Sequence, residues 1–418
     1  MGADTARSAV RPVTARRAAA DAGGSSGALL DGVVVLEATD TPAAAFAGAL
    51  AGDFGATVIV CEPSGGSGLR RLGPTAVQRV WWPIIGRNKR SLMIAASHPA
   101  AAPLLARLAA GADMLLRDGS DTGERLRQAM GDSPHAVDVH LFPTGADRPD
   151  LWPWSIEPEF AAAACGLMAL TGRVDGPATQ PEMPLADYCA GMLALSVALA
   201  ELRAARADGS VPQPVAMALH EALHRMNEWQ LVVATQRGTA ETRNGNRFPM
   251  NANIGNVFRT RDGQLLTVSA ATPSVADRLL VMIGGTVLRD DPRFRTPEDR
   301  RRNMDALDAV VADWIGRHDA ADAMRIVREN DVVVGPICGA DAVRRHGHIK
   351  ARGDVVDLTL PGHPPMPMPA ALPFVEPAGI MPVRAGPALG ADTDSVLAEF
   401  GLEPEEIREL RSRGVIGP

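Results

Sequence analysis

The first third of the chain alternates short, unbroken apolar runs with segments of helical period, and this alternation constrains the fold more than any other feature. The runs are "DGVVVLEA" (31–38), "ATVIVCEP" (56–63), "DMLLRD" (113–118) and "HAVDVHLF" (135–142). The first three are apolar at successive positions rather than at every second one, so both faces of those strands need cover. Between them lie "PAAAFAGALAGDFG" (42–55), "PAAAPLLARLAAGA" (99–112) and "TGERLRQAMG" (122–131), which read as helices. Strands alternating with helices give a parallel sheet covered on both faces, so this half reads as a doubly wound α/β domain.

The pattern then changes. Helices are expected over 159–170 and 186–207, "DGSVPQP" (208–214) breaks the chain, and a further helix is expected from about Val215 to Gln236. "NVFRTRDGQLLTVSA" (256–270) is a hairpin signal with Asp262-Gly263 at the turn. Helices near 274–284, 297–317 and 319–329 complete a smaller α+β domain. "DVVVGPI" (331–337) and the Pro-rich stretch 361–377 return to strand and loop, before two short helices starting near Asp392 or Thr393 and Glu403. Two domains suit 418 residues, which exceed one ordinary core.

Composition narrows the function. A net charge of −7 argues against a general nucleic-acid binder. Cys61, Cys165, Cys189 and Cys338 are scattered without a CxxC, which fits reduced thiols in a cytoplasmic protein. The most apolar stretch, Cys189 to Leu202, reads as too short and too amphipathic to span a bilayer, so no membrane partner is expected. Residues 1–26 are rich in Ala and Arg, lack the apolar centre of a signal peptide and read as a disordered leader.

Four motifs carry chemistry. "HEALH" (220–224) matches the HExxH zinc pattern, but no third ligand motif follows, and a surface helix bearing two histidines is the plainer reading, with no metal expected. "GRNKRS" (86–91) gathers Arg87, Asn88, Lys89 and Arg90; it reads either as a solvated turn or as an anion site for phosphates. "CEPSGGSGLRR" (61–71) ends a strand with Glu62, a glycine-rich loop, Arg70 and Arg71. Ligands of open α/β sheets bind at the carboxyl ends of strands, which favours a nucleotide-like ligand there. The first β-α turn, "EATDTPAAAFAG" (37–48), lacks GxGxxG and disfavours a nicotinamide or flavin dinucleotide. Last, "MPLADYCAGM" (183–192) sets Asp187 and the only tyrosine, Tyr188, at the start of an apolar helix. Asp187 suits an N-cap, and it equally suits a nucleophile that the helix dipole keeps ionised in apolar surroundings. The residues alone leave these two open.

The order of the pieces resembles the family III CoA-transferases, which include formyl-CoA and carnitine CoA-transferases and, as a branch, α-methylacyl-CoA racemases. The matching stretches are "LLDGVVVLEAT", "DFGATVIVCEPSGG", "RNKRS", "CGLMALTGRVDGPATQPEMPLADYCAGMLAL", "GNRFPMNANIGNVFRTRDGQLLTV", "VVVGPICGADAV" and "GADTDSVLAEFGLEPEEIRELRSRGVI", in family order over most of 29–416. Three stretches depart from the family pattern: "LRDGSDTGERL" (116–126) for "ENFRPG", "HLFPTG" (140–145) for "SGFG", and "AAA" (43–45) for "AGP".

The resemblance implies a Rossmann-like large domain over 27–207, a linker and connecting helix over 208–240, a small domain over 241–330 and a segment, 331–418, that returns to the large domain. It implies an interlocked homodimer. It places the catalytic aspartate on Asp187, which would attack an acyl-CoA thioester, pass through an acyl anhydride and an aspartyl-CoA thioester, and hand CoA to an acceptor carboxylate. Coenzyme A is then a co-substrate, with no tightly bound cofactor. Arg70, Arg71, Arg87, Asn88, Lys89, Arg90 and Glu62 become expected CoA contacts, Tyr188 and Glu157 line the substrate pocket, and backbone N–H groups at Gly245 or Gly255 face the oxyanion. The rivals are a racemase or specialised acyl rearrangement, with Glu157 and Asp187 as the acid/base couple, and a non-catalytic thioester-binding member in which Asp187 only caps.

Overall fold

The computed structural model describes residues 28–73, 80–131, 135–142, 160–240, 242–247, 254–360, 363–375 and 383–417. Its contacts divide the chain into two units. The larger holds the described residues up to Leu167, Pro181–Val232, and those from His348 onward. The smaller holds Met168–Gln180 and Val233–Gly347.

In chain order the larger unit begins with β1 (Val34–Ala38), α1 (Pro42–Asp53), β2 (Thr57–Glu62), β3 (Lys89–Met93), α2 (Ala102–Ala110), β4 (Met114–Arg117), α3 (Asp121–Met130) and β5 (Val137–Phe142). It continues with α4 (Leu185–Asp208), β6 (Val215–Ala218) and α5 (Leu219–Met226). The strands form one parallel six-stranded sheet in the order β3-β2-β1-β4-β5-β6. Chain direction through the sheet reverses at β1, which sits between β2 and β4. That position is the topological switch point, and the crevice outside the carboxyl ends of β1 and β4 is where such sheets take ligands.

The continuous apolar runs serve both faces. Val34, Leu36 and Ala38 meet Leu104, Leu105 and Leu108 of α2 and Leu126 of α3. The opposite face carries α1, buried on nearly every side because its residues are small: Ala43, Ala44, Ala45, Ala47, Gly48, Ala49 and Ala51. This leaves room for α4 to lie against α1. The approach is close enough that a Cβ on Gly191 would stand 2.5 Å from the Ala43 carbonyl oxygen.

Three sequence expectations change here. In "GRNKRS" the turn is confined to residues 86–88 and is not solvated, because β3 begins at Lys89, which pairs with Val58 of β2, and Arg87 and Lys89 are buried. Val215 does not open a helix; Val215–Ala218 is the sixth strand, too short at four residues to show a period. The helix expected to be too short for a bilayer is longer than its apolar centre: α4 runs for 24 residues and, by length and composition alone, is long and apolar enough to cross one. Half of it is buried inside the protein, as in a core helix.

The smaller unit follows the sequence more closely at its start. α6 (Glu228–Arg237) starts within the larger unit, which runs to Val232, and ends within the smaller; the antiparallel pair β7 (Ile254–Arg259) and β8 (Leu265–Ala270) follows, with Gly263 in the turn at φ 80°. Then come α7 (Pro273–Arg289), α8 (Met304–Gly316), α9 (Ala320–Glu329) and β9 (Val333–Pro336). β9 pairs with β8, so this segment completes the small sheet instead of opening the returning segment. The small domain is therefore wider than 241–330. Phe258, Leu266, Leu280, Phe294, Leu307, Val311, Ile315 and Val327 form its core.

The chain then rejoins the larger unit. β10 (Val355–Leu358) and β11 (Met366–Pro369) form a separate antiparallel ribbon. α10 (Thr393–Glu399) and α11 (Pro404–Ser412) bring Val396, Leu397, Phe400 and Ile407 onto the α2 side of the large core. Ile416 bridges to Ile94 beyond the end of β3.

Candidate active site

Asp187 is the third residue of α4, whose cap position is held by Pro184. The aspartate is thus not the N-cap that its sequence setting suggested. It remains in the first turn, where the free N–H groups and the macrodipole favour the carboxylate form. The side chain is 4% exposed. Burial is imposed by the neighbours on its helix, since Ala186, Cys189, Ala190 and Gly191 all face inward.

Tyr188 lies beside it in an aromatic group. Its ring stacks on Phe46 of α1 at 4.0 Å with planes 7° apart, and Trp81 meets it edge-on at 6.4 Å. Burial pushes the Tyr188 phenol above its ordinary value; the Arg87 guanidinium pulls it down and the Asp187 carboxylate pushes it further up. Tyr188 is therefore a neutral hydrogen-bonding group at neutral pH, held rigid next to Asp187.

The expected CoA contacts are arranged otherwise. Arg87 is buried, with Nε 3.0 Å and Nη2 2.6 Å from the Asp53 carboxylate. Asn88 donates to the same carboxylate at 2.9 Å and accepts from the Arg384 N–H at 2.8 Å. Lys89 is fully buried against Glu37. Arg90 pairs with Glu399 at 2.7 Å on the returning α10. Arg70 grips Glu62 through Nε at 2.6 Å and Nη2 at 2.7 Å, donates to the Pro387 carbonyl at 3.1 Å, and lies over the Trp82 ring at 3.9 Å. Glu62 is itself completely buried and also accepts from Ser91 Oγ at 2.6 Å. These six side chains tie β1, β2, β3, α1 and the C-terminal segment together; they do not form an open phosphate site. The reason is the early start of β3, which turns Lys89 and Ser91 inward. Arg71 differs: it is exposed, bonds only to the Gly65 carbonyl at 3.1 Å, and makes no ion pair among the described residues.

The switch-point crevice holds groups the sequence reading did not single out. Asp118, just past β4, accepts from Thr39 Oγ1 at 2.7 Å, the Asp40 N–H at 2.7 Å and the Thr41 N–H at 2.9 Å. Asp40 accepts in turn from Ser67 Oγ at 3.0 Å and the Gly68 N–H at 2.5 Å. No short motif announces this, because the partners lie on three separate loops. His140, opposite Arg117 across β4 and β5, has its pKa lowered by burial and by that guanidinium. Arg117 itself forks onto Asp138 at 2.7 and 2.9 Å.

"HEALH" forms α5, with the His220 and His224 rings 6.2 Å apart. Glu221 is the helix's N3 residue and accepts from the Ala218 N–H at 2.7 Å, so its carboxylate caps the helix. Among the described residues no group of three His, Cys, Asp or Glu side chains is placed to hold a metal. Gly245 and Gly255 belong to the smaller unit, Gly245 in a turn at φ 63° and Gly255 paired with Ser269 in the hairpin. Glu157 lies outside the described residues.

A parallel switch-point sheet, a buried aspartate in a helix's first turn and a rigid phenol beside it define an α/β enzyme built for a small-molecule substrate. Over residues 30–133 and 153–393 the sequence matches CoA-transferase family III, and the chain belongs to that family of CoA-transferases. It is 29% identical to the succinyl-CoA–D-citramalate CoA-transferase of Chloroflexus aurantiacus, over 93% of this chain and 98% of that one. It is 25% identical to the succinate–glutarate CoA-transferase of Agrobacterium fabrum, over 89% of this chain and 95% of the relative. The fold matches that of a CAIB/BAIF family protein from Brucella suis with a TM-score of 0.76 at 22% identity, covering 89% and 99% of the two chains.

Proposed function

We propose that the protein moves coenzyme A from an acyl-CoA thioester to a carboxylic acid through covalent intermediates on Asp187, in the cytoplasm and as an interlocked homodimer. The observation that carries the reading is the place of Asp187: in the first helical turn, 4% exposed, and three positions past the cap at Pro184. The dipole favours the anion, and the poor solvation of a buried carboxylate makes it reactive toward a thioester carbonyl. Attack expels the CoA thiolate and leaves an acyl anhydride; the thiolate returns to the aspartyl carbonyl, releases the acyl group as its carboxylate, and leaves an aspartyl thioester. The acceptor carboxylate attacks that thioester, and the thiolate then takes the acceptor's acyl carbon as Asp187 departs. Bonds and charge balance at each step without a redox partner. Tyr188, neutral and rigid, is the pocket wall beside the nucleophile.

The dicarboxylate names of the relatives support starting the donor search with succinyl-CoA. Assembly finds support in α6, which carries no buried side chain although Leu231 and Val232 stand on it 62% and 57% exposed. The test is intact-protein mass after exposure to an acyl-CoA panel, followed by hydroxylamine trapping and peptide mapping. An adduct on Asp187 names the donor and establishes the covalent route. An adduct on any other residue, or turnover without one at Asp187, sinks it.

A further inference from the structure

We infer that Asp118 is a specificity-determining residue: its carboxylate occupies the anion-accepting amides of the switch-point crevice and keeps the phosphates of coenzyme A out of it. This rests on the reading above that the thioester is a CoA ester, and it concerns how that ester is held. In a parallel sheet the loop after β1 offers its N–H groups, and the first turn of the following helix its dipole, to an anionic ligand. Here the loop is Thr39–Asp40–Thr41, and the helix is α1, with Thr41 at the cap and Pro42 as its first residue. Proline has no N–H to give. The loop's own donors, the amides of Asp40 and Thr41, both point at Asp118 Oδ2, at 2.7 and 2.9 Å. The Thr39 hydroxyl joins them at 2.7 Å.

The other carboxylate of the crevice completes the closure. Asp118 Oδ1 accepts from the Ser120 N–H at 3.1 Å, which fixes the loop after β4. Asp40 takes the Gly68 N–H and the Ser67 hydroxyl, so the loop after β2 is tied in as well. Ser67 Oγ also donates to the Thr39 carbonyl at 2.8 Å. The carboxyl ends of β1, β2 and β4 are thus joined through two of the chain's own anions, and the nearby cation Arg70 is engaged by Glu62. A phosphate entering this crevice would find the loop donors already engaged and would meet the two carboxylates at close range before it reached the first turn of α1. The binding energy of the thioester therefore comes from its pantetheine and acyl portions, and the nucleotide end stays outside, toward the exposed Arg71.

The experiment titrates 3′-phospho-ADP, the nucleotide end of CoA without its pantetheine arm, into the full chain by calorimetry at low ionic strength. Wild type is compared with Asp118→Ala, which frees the amides, and with Asp118→Asn, which keeps an acceptor and removes only the charge. The expected result is a dissociation constant at least about tenfold smaller in Asp118→Ala than in wild type, with Asp118→Asn between them. Should Asp118→Ala fail to fold, the Asn variant decides alone, with a several-fold tightening expected. Equal or weaker affinity in the variants overturns the inference. Acyl-CoA turnover by the wild type, measured in parallel, decides the transferase reading separately, because nucleotide binding is read without any reaction.

Discussion

Lys89 and Glu37 form an ion pair with both side chains completely shut away from solvent, Nζ standing 2.7 Å from Oε2. The same ammonium donates to the Ala45 carbonyl at 2.7 Å, so one buried charge joins β3, β1 and α1. Breaking one partner of such a pair leaves the other uncompensated, and Lys89→Met should cost about 3–5 kcal/mol. Replacing both, as Glu37→Gln with Lys89→Met, should restore most of that loss. Urea denaturation of the four proteins of this cycle measures it. A double variant as unstable as the sum of the singles would show that the two side chains act independently.

The pair also gives stability a pH dependence of definite sign. Burial pushes the Glu37 carboxyl from 4.5 up to about 7, against the downward pull of Lys89, and burial lowers Lys89. Between those two Glu37 values the folded state holds the proton more tightly than the unfolded chain does. The contribution is therefore full below 4.5 and is lost as pH rises through about 7. Melting temperatures across this window should fall for wild type from this cause, and Glu37→Gln should flatten the fall. An identical slope in the variant would assign the effect to other groups.

Asp187→Asn separates catalysis from structure. Asparagine keeps the shape and a hydrogen-bonding oxygen, and at the third helical position the lost dipole interaction is worth only about 0.3–1 kcal/mol. Turnover should drop by at least about a thousandfold while the melting temperature moves by a few degrees. Full activity in a correctly folded variant would end the nucleophile reading.

Gly191→Ala tests how tightly the active-site helix is seated. The new Cβ would lie 2.5 Å from a backbone oxygen of α1, which cannot swing aside as a side chain would. Overpacking of this kind costs about 1–3 kcal/mol and shifts α4 away from α1. Both stability and kcat should fall, since Asp187 and Tyr188 ride on that helix. Unchanged values would mean that the two helices slide freely past one another.

Arg87→Met probes the reassigned cations. Removing the guanidinium leaves Asp53 buried with only Asn88 beside it, at a cost of about 3 kcal/mol. The KM for the acyl-CoA donor should stay within about twofold of wild type, because the guanidinium is buried against Asp53. A large rise in KM with stability intact would restore Arg87 to the binding site.

The sequence announces the parallel sheet because β1, β2 and β4 are apolar at successive positions, and that pattern is local. It announces the Asp262-Gly263 turn for the same reason. It misleads at "RNKRS", where charges adjacent in sequence look like a site. Their partners are Asp53, Glu37 and Glu399, at separations of 34, 52 and 309 residues, and no local signal connects them. The crevice is hidden likewise, since Asp118 reaches Thr39 across 79 residues. Val215–Ala218 fails for a different cause: four residues in an edge strand take their conformation from β5 rather than from their own propensity. Asp187 is legible in kind but not in task, because a helix start attracts an aspartate for capping and for chemistry alike; the structure puts the cap at Pro184, and the chemical task is what the Asp187→Asn variant tests.

The closure of the large core by α10 has a consequence for how the protein is made. Leu104, Leu105 and Leu108 emerge from the ribosome well before Val396, Leu397 and Phe400, which cover them and follow nearly 300 residues later in the chain. At ordinary rates of synthesis this face stays bare for on the order of 15–60 s while the intervening residues are translated. Throughout that interval the nascent chain carries a greasy surface and a sheet margin that Ile416 has yet to reach. A premature stop ahead of Val396 would therefore release a polypeptide with its principal core unsealed, a substrate for chaperones and proteases rather than a slightly shortened enzyme.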